Sequence, residues 1–238
     1  MSLPSFLVIG AQKAGTSWLW VALRQPPHVW MPPVKELHFF DHLFVPQVRS
    51  WTQHHIRGAI DKALKWHVER PHGHLDYEFI RYMCDLASNQ VFTEAWYRRA
   101  YSRPGSAGKV LGDITPEYST IGPDGIAYIK SLMPDVKIVY IIRDPVSRAL
   151  SQVRMSFDRK HIVAPSPTQW QEQIAAWDVS QRGDYATYIP QWRAAFPDSQ
   201  LLFLPYKQLE REPSKTLAEV ERFINATPYA DYKDLSSR

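Results

Sequence analysis

Residues 6–20 read FLVIGAQKAGTSWLW. An apolar run stops at Gly10. Lys13, Gly15, Thr16 and Ser17 follow, and an apolar pattern then restarts. Glycines let the backbone bend and come close to a ligand. The free N–H groups of a helix starting near Thr16 face the same space and favour an anion. Lys13 adds a point positive charge there, and Thr16 and Ser17 add hydroxyl donors. Together these residue types form a cradle for a phosphate-like group. Two common cradles are excluded by spacing. The G-x-x-x-x-G-K-[ST] loop places lysine after its second glycine, whereas Lys13 precedes Gly15. The G-x-G-x-x-G turn needs a glycine where Gln12 stands.

Such a loop works only at the end of a buried strand, and the sequence supplies one. Residues 6–9 form a short β-branched-rich run of the kind buried on both faces of a parallel sheet. TSWLWVALRQPP reads as a helix with Thr or Ser near its cap and a stop at Pro26 and Pro27. HVWMPP follows as a short strand. KVLGDITPEYS returns to strand until Pro116, and GPDGIAYIKSLMPD is a helix between turns. VKIVYIIRDP is the clearest central strand, with Arg143 at its carboxyl end; VSRALSQVRMSF is the next helix. QLLFLPY is a last strand, and EPSKTLAEVERFI a helix with Leu217, Val220, Phe223 and Ile224 on one face. The alternation predicts an α/β fold: one domain over residues 1–238, with a central parallel sheet flanked by helices. A mainly helical excursion is expected at about 42–108, from the patches AIDKALKWHV, FIRYMCDLA and TEAWYRRAY between polar turns such as ERPHGHLD and SRPGSAG.

GAQKAGTSWL resembles the 5′-phosphosulfate loop of sulfotransferases that use 3′-phosphoadenosine 5′-phosphosulfate (PAPS). YIIRDPVSRALSQ resembles their 3′-phosphate motif, R-D-P-x-x-R-x-x-S, with Arg143 and Ser151 in its two key places. KELHFFD, residues 35–41, is similar to the acidic segment after the second strand in heparan-sulfate sulfotransferases and bacterial relatives. GDITPEY, RGDYATYIPQWRAAFP and LPYKQLEREPSKTLAEVERFI resemble further segments of that group, so the likeness runs from residue 6 to about 224.

The resemblance implies transfer of a sulfonyl group from PAPS to a hydroxyl or amine by in-line displacement, with adenosine 3′,5′-bisphosphate as product. It gives the phosphosulfate contacts to Gly10, Gln12, Lys13, Ala14, Gly15, Thr16, Ser17 and Trp18, and the 3′-phosphate to Arg143 and Ser151. Lys13 would meet the charge on the leaving oxygen. Glu36 would be the general base, with His38 as the other candidate for the proton work and Asp41 as support. Trp51, Trp66 and Trp96 are open to an acceptor cleft or to the core. The chain departs from the pattern twice: Ile114 stands where some glycan-modifying relatives carry a basic residue, and DYKDLSSR closes it where relatives continue with a segment over the nucleotide.

Two rival readings stay open. A related kinase would need a metal-holding Ser or Thr directly after the lysine, where Ala14 stands. A binding module would keep the fold without turnover. A net charge of +4 suits an anionic ligand and is too small to indicate nucleic acid. The single cysteine, Cys84, forbids an internal disulfide and is expected in the core. No metal is expected; the histidines other than His38, HGH at 72–74 included, lack carboxylate or cysteine companions at ligand spacing. No stretch approaches the roughly 20 apolar residues of a membrane span. MSLPSFLVIG has neither the basic segment nor the apolar length of a signal peptide, so a cytoplasmic location is expected. The acceptor class is left open among glycan, lipid, phenol, peptide and small metabolite.

Overall fold

A computed structural model describes residues 2–69, 74–87, 90–103 and 105–235. The turns expected at ERPHGHLD, with His72, and at SRPGSAG, with Pro104, lie partly outside these residues, as do the last three residues of DYKDLSSR. The strand β1 (Phe6–Gly10), the helix α1 (Thr16–Leu23) and the strand β2 (Val29–Trp30) open the chain. Four helices follow: α2 (Phe39–Phe44), α3 (Arg49–Glu69), α4 (Tyr77–Leu86) and α5 (Glu94–Ala100). Next come β3 (Val110–Ile114), a 3₁₀ turn over Pro116–Thr120, α6 (Gly122–Leu132), β4 (Lys137–Ile142) and α7 (Pro145–Arg159). The chain continues through α8 (Pro167–Ala175), α9 (Trp177–Gln181), α10 (Tyr185–Ala195), β5 (Leu201–Pro205), α11 (Tyr206–Arg211) and α12 (Pro213–Phe223).

The five strands pair in parallel in the order β2-β3-β1-β4-β5. All five residues of β1 are buried, which is why the strand is a continuous apolar run with no alternation. Phe6 lies flat against β3, and a Cβ at Gly112 would fall inside its ring, so that position must be glycine. The strand order matters for function. From β1 the chain departs towards β2 and returns to fill β3 between them; from β4 it departs the other way, to β5. The crossovers after β1 and β4 thus diverge. Divergence opens a crevice beyond the carboxyl ends of those two adjacent strands, where open α/β sheets bind ligands.

One expectation is corrected. Cys84 is exposed. The core face of α4 consists of Phe79, Tyr82, Met83 and Leu86, and at 3.6 residues per turn Cys84 falls off that stripe. The cap of α1 is Gly15 in the left-handed conformation, φ 86°, with no side-chain capping bond; Thr16 is already helical. Among the described residues no helix is long and apolar enough to cross a membrane.

Candidate active site

The loop after β1 turns sharply, with Ala14 N donating to Ala11 O at 3.0 Å. Because Gly15 caps α1 without a side chain, the first-turn N–H groups of α1 remain available to a ligand. Ala14 is fully buried under the loop and Thr16 is 4% exposed. Lys13 has φ 68°, a left-handed conformation uncommon outside glycine. Its Nζ lies 3.5 Å from the sulfur of Met155. Burial, then the nearby Arg159 and Arg143, lowers the Lys13 pKa. Lys13 therefore faces other cations, an arrangement that an anion between them would relieve.

At the end of β4, Asp144 caps α7 by accepting from Ser147 N at 2.8 Å, and Pro145 takes the first helical position. Arg143 is thereby aimed back at the β1 loop. It donates to Lys13 O at 2.6 Å, and its guanidinium rests 4.4 Å over the Tyr206 ring. Ser151 sits two turns into α7 on the same side.

The third part comes from residues 35–41. Glu36 and His38 are also left-handed, with φ 62° and 51°. Their placement originates in β3. Asp113 accepts from Tyr97 and Tyr118 at 3.0 and 2.9 Å, and the Tyr118 hydroxyl accepts from Phe39 N at 3.1 Å, pinning the start of α2. Phe39 stacks on Tyr97 with ring centroids 4.5 Å apart. His38 Nδ1 meets Asp41 Oδ2 at 2.8 Å, and its Nε2 faces Glu36 Oε2 at 3.7 Å. Glu36 also pairs with Lys35. Burial opposes charge on Glu36, but His38 and Lys35 outweigh it and hold the carboxyl well below the usual range. Burial likewise opposes the His38 imidazolium, but Asp41 and Glu36 outweigh it and hold the ring well above its usual range.

These parts meet in a cleft of about 430 Å³. Gln12, Lys13, Gly15, Thr16, Ser17 and Trp18 line it from the loop side, Glu36 from the acidic segment, and Arg143 and Ser151 from the far end. Gly10, Ala14 and His38 do not line it. His38 is 1% exposed at its side chain against 25% for Glu36, so only Glu36 of the two presents a proton acceptor to the cleft.

Sequence reasoning missed Met155, Arg159 and Tyr206, which also line the cleft. Ser151, Met155 and Arg159 are spaced by four along α7, so helical periodicity carried that signal. It also missed Glu117, which accepts from Gln12 Nε2 at 3.2 Å and is clamped by Arg182 at 2.7 Å, tying the loop to the RGDY segment. Of the three tryptophans, Trp51 stands edge-on to His38 with centroids 4.7 Å apart, Trp96 is a core residue bonded to Leu86 O, and Trp66 is 67% exposed. Among the described residues, one group could hold a metal ion: Glu36, His38 and His55, with ligand atoms all within 4.8 Å.

Comparisons with known proteins identify the family. The profile of the Sulfotransferase family matches residues 4–231. Human heparan sulfate glucosamine 3-O-sulfotransferase 3B1 is 26% identical over 228 residues, 93% of this chain and 46% of that protein. The mouse bifunctional heparan sulfate N-deacetylase/N-sulfotransferase 4 is 24% identical over 250 residues, 98% of this chain and 23% of that protein. The chain thus spans less than half the length of these relatives. Among solved structures, a sulfotransferase from Alicyclobacillus acidocaldarius superposes with a TM-score of 0.69 at 24% identity, covering 100% of this chain and 87% of that one. A sulfotransferase domain from the curacin biosynthetic pathway superposes at 0.61 and 18% identity, covering 97% and 76%. The structural likeness establishes the fold, and with the profile spanning the cradle, the acidic segment and the strand end that meet in the cleft, the chain belongs to the Sulfotransferase family.

Proposed function

We propose that the chain moves a sulfonyl group from PAPS to a hydroxyl or amine acceptor by in-line displacement. One observation carries this reading: Lys13 and Glu36, a cation for a leaving group and a base for a nucleophile, line the same cleft as Arg143 and Ser151. The residues present fit the donor. A polyanion suits a site with uncapped helix N–H groups, a lysine of lowered pKa and two further arginines. PAPS supplies the sulfonyl group, and the cleaved S–O bond leaves its electron pair on adenosine 3′,5′-bisphosphate.

Lys13 neutralises the charge that grows on the leaving phosphate oxygen. Glu36 takes the proton from the acceptor oxygen or nitrogen as its new bond to sulfur forms. His38, anchored by Asp41, holds the Glu36 carboxylate in position from behind. Arg143 offers a planar fork to the 3′-phosphate, and Ser151 a hydroxyl beside it. The loop N–H groups and Thr16 hold the 5′ end so that acceptor and leaving oxygen lie in line.

The relatives named for heparan sulfate point to a glycan as one acceptor class. The test is an acceptor screen with radiolabelled PAPS across glycans, phenols and aliphatic alcohols. Label appearing on an acceptor, and lost with Lys13→Ala, is the expected result. Binding of adenosine 3′,5′-bisphosphate with no transfer to any acceptor would replace the enzyme with a binding module.

A further inference from the structure

His38 carries an unsatisfied atom. Its ring is 1% exposed, its Nδ1 is engaged by Asp41 at 2.8 Å, and its Nε2 is buried with no hydrogen-bond partner. A buried ring nitrogen whose one answer is an ion-pair contact to Glu36 too long for a hydrogen bond calls for an explanation. The directions around that nitrogen supply one. Glu36 Oε2 lies 3.7 Å away, and His55 approaches from the first turns of α3 with its ring centroid 4.8 Å from that of His38. One ligand atom from each of Glu36, His38 and His55 falls within 4.8 Å of the others.

We propose that Glu36, His38 and His55 form a site for a divalent transition metal, Zn²⁺ in the first instance, and that the occupied site holds transfer off. The inference rests on the reading of Glu36 as the base. Two histidines and a glutamate are a zinc donor set that leaves a fourth position open. Tetrahedral geometry with bonds of about 2.0–2.1 Å puts ligand atoms roughly 3.3 Å apart. The His38–Glu36 pair is therefore near its final separation already, and the widest pair closes by no more than about 1.5 Å. His55 is half-buried, and its contact to Lys35 O, at 3.5 Å, is long and weak enough to be exchanged for a metal bond.

The surroundings match a metal site as well. A ligating histidine almost always donates its other ring N–H to a carboxylate, which fixes its tautomer and orientation. Asp41, fully buried, stands in that relation to His38. The metal replaces a proton on His38 Nε2 and displaces the Lys35 ammonium from Glu36. The open fourth position faces the cleft through Glu36, which is the ligand that lines it. With one carboxylate oxygen bound to a dication, Glu36 loses negative charge and basicity, so it takes the acceptor proton far less readily and turnover falls.

The experiment uses the full chain stripped with a chelator, Zn²⁺ and Co²⁺ as the probes, and His55→Ala. Titration with Co²⁺ alone should give the visible absorption of a four-coordinate site at one ion per chain. His55→Ala should lose that band and bind Zn²⁺ 10- to 100-fold more weakly, with an unchanged melting temperature. In sulfonyl transfer, Zn²⁺ should inhibit the parent protein reversibly and leave His55→Ala at its metal-free rate. Absence of the four-coordinate band, equal inhibition of both proteins, or activation by Zn²⁺ would each overturn the proposal. Full transfer in chelator with no response to Zn²⁺ would remove the metal site and leave the transferase reading intact. A four-coordinate Co²⁺ band in a chain that transfers nothing in chelator would remove the reading of Glu36 and leave the metal site.

Discussion

The two sides of the cleft solve opposite electrostatic problems. On the loop side, Lys13 lies close enough to Arg159 and Arg143 that each lowers its pKa, with Asp158 opposing them, and Lys13 Nζ meets the sulfur of Met155. On the other side, Lys35, Glu36, His38 and Asp41 run as a chain of alternating charge, with each member answered by the next. The first side stores repulsion that a polyanion discharges. The second is neutral overall, so an acceptor can dock without meeting a net field. In the proposed mechanism binding energy belongs to one wall, the nucleotide wall, and proton management to the other, and variants should separate them.

The largest separation is expected at Glu36. Glu36→Gln keeps the shape and removes the base, so transfer to an aliphatic alcohol should fall by roughly 10²–10⁴. Isothermal titration of adenosine 3′,5′-bisphosphate should be unchanged. A phenol, which parts with its proton more easily, should show a smaller loss. Full activity on an alcohol together with a dead His38→Ala would hand the proton to His38 and undo the division of labour.

Lys13 comes next. In the proposed mechanism it stabilises charge that appears mainly in the transition state, so Lys13→Ala should lower turnover by roughly 10²–10³ with a smaller effect on product-nucleotide binding. Equal losses in turnover and in nucleotide affinity would make Lys13 a ground-state contact only.

Arg143 tests how the nucleotide wall reads its ligand. A charged hydrogen bond is worth about 1.5–3 kcal/mol, so Arg143→Ala should weaken adenosine 3′,5′-bisphosphate on the order of 10- to 100-fold. 5′-AMP, which lacks the 3′-phosphate, should lose far less. An equal loss for both nucleotides would mean that the bond from Arg143 to Lys13 O shapes the loop and that the 3′-phosphate is not read.

The same comparison explains what the sequence disclosed. The nucleotide wall is built from strand ends and the turns that follow them, and those are written locally: a β-branched run, a glycine, a proline at the first helical position. The helix starts at Thr16 as expected, and the structure adds that the cap itself is the left-handed Gly15, which makes no side-chain capping bond. The other wall is tertiary. Glu36 and His38 were legible as residue types, but the segment that holds them is pinned by Asp113 of β3 and Tyr118 of the 3₁₀ turn after it. Trp51 and His55, four apart on α3, reach His38 only because α3 packs across the start of α2. No local pattern encodes that crossing. Strand order was similarly hidden, since β3 enters between β2 and β1 after more than 70 intervening residues of helices and turns.

The smallest expected effect is at Trp51, and it probes the boundary of the acceptor wall. Trp51 and Trp66 lie on the same helix, and both were candidates for an acceptor cleft. Trp51 is half-buried, edge-on to His38 at 4.7 Å, whereas Trp66 is 67% exposed near the far end of α3. An aromatic contact of this kind is worth about 0.5–1.5 kcal/mol beyond the area it buries, or roughly 2- to 12-fold in an equilibrium. Trp51→Leu loosens the support behind His38 and, through it, the Glu36 carboxylate. Acceptor kcat/KM should therefore fall by that factor, while adenosine 3′,5′-bisphosphate binds as before. Trp66→Leu should change neither. If Trp51→Leu weakens the nucleotide as much as it slows transfer, the two walls are mechanically coupled through the cleft, and the separation drawn from their charges does not extend to their packing.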